Sequence, residues 1–66
     1  MTRFEKDLEA AKKDAFTAVD ILRERKAELD SLWEKGKAEK NGFRRQCISQ
    51  EYTRLEKQYN EIEKWA

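Results

Sequence analysis

Residues 4–32, FEKDLEAAKKDAFTAVDILRERKAELDSL, decide how this chain folds. Leu8, Ala15, Leu22 and Leu29 recur every seven positions and lead to Gly36, and Phe4, Ala11, Ala18, Arg25 and Leu32 form the interleaved row. Apolar groups at that spacing lie along one side of an α-helix, so the segment reads as a coiled-coil-like seam. A second seam follows in Ile48, Tyr52, Leu55, Tyr59, Ile62 and Ala66, alternating in steps of four and three. Carried through residues 36–47, the first repeat puts Ile48, Tyr52 and Leu55 off its apolar positions. One unbroken rod would scatter them around its surface, so the chain is expected to fold back on itself.

The flanking residues place the two arms. Thr2 and Glu5 have the spacing of a capping box, which starts a helix near residue 3. No breaker follows before Gly36; Ala10, Ala11, Ala15, Ala18 and Ala27 favour helix, and Glu9 with Lys13 is a helical charge pair. Gly36 is a candidate left-handed cap. Asn41-Gly42 is the stronger turn signal, since both residues tolerate positive φ. The sequence thus predicts an all-α, two-helix antiparallel hairpin forming a single domain over residues 1–66. Its long first helix covers about residues 3–38, its turn about 39–43 and its second helix about 43–65.

The predicted arms are unequal, and that points to an unpaired surface. With the reversal near Gly42, Leu22 faces Ile62 and Val19 faces Trp65, so residues before about Phe16 have no intrachain partner. At 1.5 Å per residue the overhang is on the order of 20 Å. A chain of 66 residues buries little apolar surface, and each Leu or Phe left in water forfeits roughly 1.5–3 kcal/mol. Phe4, Leu8, Ala11, Ala15 and Phe16 are therefore the expected partner-binding residues. Another protein, or a second copy of the chain in a homodimer, would complete a helical bundle there.

Arg25 interrupts a row of otherwise apolar residues. Either its methylenes line the seam while its head stays in water, or the guanidinium pairs with a carboxylate or ring face, for which Glu51, Tyr52 and Glu56 are candidates, and sets the register of a dimer.

Composition limits the chemistry. There is no His and one Cys, so metal and haem sites lack ligands and a thiol nucleophile lacks a base. No Gly-rich phosphate loop or serine elbow occurs, and the acidic residues alternate with Lys and Arg as on a solvated helix face. Neither an enzyme, a cofactor, a metal nor a small-molecule substrate is expected. Cys47, the only cysteine, rules out an intrachain disulfide and reads as a small buried or half-buried apolar residue. With no apolar run of membrane length and acidic residues near the N-terminus, the expected location is cytoplasmic.

One charge asymmetry stands out. Between residues 36 and 45, Lys37, Lys40, Arg44 and Arg45 stand against Glu39 alone, which leaves the remainder slightly acidic. These four cations, with Phe43 beside them, are the candidate contacts to an anion or nucleic acid.

Two families share this size and layout. A short helical hairpin that forms a bundle resembles the small plasmid proteins that bind paired RNA loops. A hairpin beginning Met1-Thr2-Arg3-Phe4-Glu5 and closing with a helix through Glu51-Tyr52 resembles the small co-chaperones of type III secretion needle subunits. The second resemblance implies binding to a larger helical-repeat chaperone and helping to keep the needle subunit from polymerising. The expected function is thus that of a small protein-interaction module (adaptor, co-chaperone or protein inhibitor), with a dimeric nucleic-acid-binding regulator as the alternative.

Salt separates the two. Binding to nucleic acid through the four tip cations should lose affinity with a log–log slope of about −3 to −4, whereas an apolar helix interface should respond little; a titration across ionic strength reads the difference.

Overall fold

Asp14 divides the first seam into two helices. The computed structural model describes all 66 residues and contains α1 (Arg3–Lys13), α2 (Ala15–Ala38) and α3 (Gly42–Glu63), with no strand. The all-α class expected from the sequence holds, but the chain is a three-helix arrangement, not a two-helix hairpin.

The break is built from one side chain. Asp14 lies in extended backbone (φ −152°, ψ 119°) and caps the start of α2. Its Oδ1 accepts from the Phe16 amide at 3.0 Å and its Oδ2 from the Thr17 hydroxyl at 3.1 Å. Asp is a poor interior helix residue and a strong N-cap, because its carboxylate satisfies amides that the first turn leaves unpaired. Its own amide still donates to the Ala10 carbonyl, closing α1.

After this reversal α1 runs antiparallel to α2, bringing the Arg3 guanidinium to 2.8 Å from the Glu28 carboxylate. The predicted overhang is therefore absent. Phe4 and Leu8 pack against a core of Ala11, Ala18, Leu22 and Ile62 that draws on all three helices. Breaking the helix costs a few backbone hydrogen bonds at about 1 kcal/mol net each, partly recovered by the Asp14 cap. Partly covering Phe4 and Leu8 and burying Ala11 returns a share of the roughly 1.5–3 kcal/mol that full burial of a large side chain is worth, and this favours folding back.

Other local expectations fared unevenly. The capping box forms, with the Glu5 amide donating to Thr2 Oγ1 at 3.2 Å and the Thr2 amide to Glu5 Oε1 at 3.4 Å. The second reversal lies at residues 39–41, close to its expected place, but without positive φ at any residue. Asn41 is extended and acts as N-cap, accepting from the Arg44 amide at 3.0 Å. Gly36 is no cap; it sits inside α2, which continues to Ala38. Cys47 is exposed.

The result is a rod of 42 × 20 × 16 Å with two unlike halves. From Asp14 to about Glu28, α2 is flanked by α1 and α3. Beyond Arg3, only α2 and α3 continue to the turn.

Ile62 is fully buried where the three helices meet, so Ile62→Ala should destabilise the fold by about 2–5 kcal/mol. Urea unfolding followed by circular dichroism measures the loss.

Candidate interaction surface

Arg25 marks the inner boundary of the uncovered half. The residue is 1% exposed; its Nη2 donates to Asp7 Oδ2 of α1 and its Nη1 to Gln58 Oε1 of α3, each at 2.8 Å. The Phe4 ring centroid lies 5.8 Å from the guanidinium carbon, within cation–π range. Arg25 thus neither extends its head into water nor awaits a second chain, and its partners are not Glu51, Tyr52 or Glu56. Heptad position alone did not point to Asp7 or Gln58, because both become neighbours only once α1 folds back. Its Nε is buried without an acceptor.

Arg3 closes the covered half at the surface. The hydrogen bond with Glu28 raises the Arg3 guanidinium above its ordinary pKa.

Past Arg3 the α2–α3 seam opens on both sides. On the α1 side a cleft of about 670 Å³ continues the line of α1, between Leu32 and Lys35 of α2 and Arg54 and Leu55 of α3. On the opposite side a groove of about 560 Å³ runs between Trp33 and Gly36 of α2 and Ile48 and Tyr52 of α3. The Trp33 and Tyr52 rings pack at 5.9 Å between centroids, tilted by 52°, and Trp33 is nevertheless 58% exposed. At the groove floor, a methyl on Gly36 would meet Ile48 Cγ2 at 3.5 Å, an ordinary contact. Neither packing nor backbone therefore demands glycine at this mid-helix position, where it costs stability.

The sequence-predicted residues divide between the two halves. Phe4 and Leu8 are half-buried and Ala11 buried within the chain's own core, so these three are engaged internally. Ala15 and Phe16 are exposed beside the break. Of the tip cations, Lys37 and Arg45 flank the 560 Å³ groove. Lys37 lies 3.9 Å from Glu34, and Arg45 donates from Nε and Nη2 to the Glu39 carbonyl at 3.1 and 2.7 Å, which fastens the end of α2. Lys40 and Arg44 are exposed at the turn, next to the exposed Phe43. No cluster of His, Cys, Asp or Glu has the arrangement of a metal site, and no helix is long and apolar enough to cross a membrane.

The chain matches no protein-family model, no curated protein and no solved structure.

Removing one partner from a buried charge costs more than replacing the charge by an apolar side chain of similar shape. Asp7→Ala should therefore lower the melting temperature clearly, while Glu28→Ala, which loses only a surface pair, should change stability by about 0.2–1 kcal/mol. Arg25→Met should fall between them or match the parent chain in thermal denaturation.

Proposed function

We propose that this chain is a small non-enzymatic protein-interaction module, an adaptor, co-chaperone or protein inhibitor, that binds a helical surface of another protein with its two-helix half. The observation that carries this reading is the mismatch in length between α1 and the seam it covers. α1 buries the seam as far as Phe4 and Arg3, and the remaining Leu32, Trp33, Ile48, Tyr52 and Leu55 line open grooves. A helix laid along α2 and α3 there would repeat, from outside, the packing that α1 provides in the other half. Trp33 is the natural anchor, since exposed aromatic groups set beside a groove contribute most to such interfaces.

Glycine at position 36 fits the same reading. It keeps the groove floor low at a helix-interior site that alanine would stabilise.

The basic turn supports a second reading. Lys40 and Arg44 are free of ion pairs in a tip that also exposes Phe43, a combination able to hold a phosphate and stack a base. In that case binding belongs to the turn and not to the grooves.

Three variants tell these apart in quantitative binding to whatever partner the intact chain captures. Trp33→Ala should weaken a groove-bound partner by about 2 kcal/mol or more, equivalent to roughly thirtyfold. Gly36→Ala should stabilise the fold by about 0.5–1 kcal/mol yet also weaken that partner. Lys40→Ala with Arg44→Ala should leave it unaffected and abolish binding only if the ligand is a nucleic acid.

A further inference from the structure

The heptad spacing does not change at the helix break. Phe4, Leu8 and Ala11 of α1 are followed by Ala15, Ala18 and Leu22 of α2 in unaltered steps of four and three, although Asp14 separates the two helices. A reversal frees each helix to carry its own phase, as α3 does after the second turn. Here both arms keep the phase of one straight helix. The link between them is a single residue, Asp14, which is neither Gly nor Pro and which a continuous helix accepts at modest cost. The stretch from Arg3 to Ala38 is therefore compatible with two conformations, folded back or straight.

We propose that α1 is exchanged between two copies of this chain, giving a dimer in which each straightened α1–α2 helix lays Phe4, Leu8 and Ala11 onto α2 and α3 of its partner. Every contact α1 makes within one chain is remade between chains: Asp7 with Arg25, Arg3 with Glu28, and Phe4 and Leu8 with the Leu22–Ile62 core. Only the link differs: one extended residue, Asp14, in the reversal, and one more helical residue in the straight form. Because α1 lies antiparallel to α2, the two long helices run antiparallel and pass each other near Asp14.

An independent observation concerns what lies at that end. Phe16, two residues past the break, is 83% exposed. Trp65 is at the same end, beneath the Lys12 ammonium at 5.3 Å from its ring centroid, and it too is exposed, as is Val19. Three large apolar side chains thus surround the crossing point of an exchanged pair. In the single chain all three remain open to solvent in part, Phe16 most of all. The exchange is separate from whatever docks in the groove beside Trp33, which no residue of α1 lines.

Two variants and one distance test the proposal. Asp14→Ala removes the cap that holds the reversal and favours the straight helix, so light scattering should show a shift from 7.9 kDa to twice that mass, with a dissociation constant at least about tenfold lower than the parent chain. Inserting Gly-Ser-Gly between Lys13 and Asp14 relaxes the link and interrupts the straight helix, and should leave only monomer. For the distance, chains labelled through Arg3→Cys and others labelled through Glu28→Cys, all carrying Cys47→Ser, are refolded together at high concentration with the Asp14 break intact. A short spin–spin distance between the two sets supports the exchange, because each label is then on a different chain. A dimer lacking that distance, or no dimer at all in this experiment, overturns it, whether or not Asp14→Ala folds. If Trp33→Ala disperses the dimer while the insertion does not, the copies meet through the grooves and the exchange is likewise refuted.

Discussion

The Arg25 guanidinium ties all three helices together through hydrogen bonds. Asp7 reaches it from α1, Gln58 from α3, and the Phe4 ring lies across it. A charge buried this completely is tolerable only while its hydrogen-bond partners stay in place, so it penalises any arrangement in which α1 is shifted or missing. The apolar contacts around it are less exacting. Leu22, Ala18 and Ile62 would accept several registers of α1, but a donor pair aimed at one carboxylate and one amide accepts few. Arg25 thus fixes position, while the small core beneath it supplies the driving force.

That core draws on small residues as much as large ones. Ala11 and Ala18 are buried side by side with Leu22 and Ile62, and their short side chains let three backbones come together in a molecule with few large residues to spare. Where α1 ends, this close approach ends too. The rest of α2 and α3 meet through Trp33, Tyr52, Ile48 and Leu32, larger groups that remain partly in water.

How far the sequence discloses this depends on the length scale of each signal. The seams, the Thr2–Glu5 capping box and the reversal near Asn41 are encoded within a turn or two of helix, and each is legible. The break at Asp14 is not, because the heptad passes through it in phase and an isolated aspartate is common on a helix surface. Its local signature was present in Lys12-Lys13-Asp14, basic residues closing one helix and a strong cap opening the next, with Thr17 set to meet the same carboxylate. What outweighs helix continuity is tertiary: the gain from burying Phe4 and Leu8 against helices far away in sequence. The internal engagement of Phe4, Leu8 and Ala11 follows from the same cause. Once α1 covers its own seam, Phe4, Leu8 and Ala11 are engaged internally, Phe16 stays exposed, and an open stretch appears in the far half of the rod, where Trp33 and Tyr52 look in sequence like ordinary core residues.

The unequal coverage also grades the molecule in how readily it opens. Amides around Ala18 and Ile62 lie beneath three helices and exchange with solvent only when the whole fold is lost, whereas those around Trp33 and Ile48 depend on a single helix pair and open in smaller, more frequent fluctuations. Anything that settles on the two-helix half stiffens the looser end, so part of its affinity is spent on ordering that end. The strength of that association is then sensitive to substitutions in α2 and α3 that never touch the bound molecule.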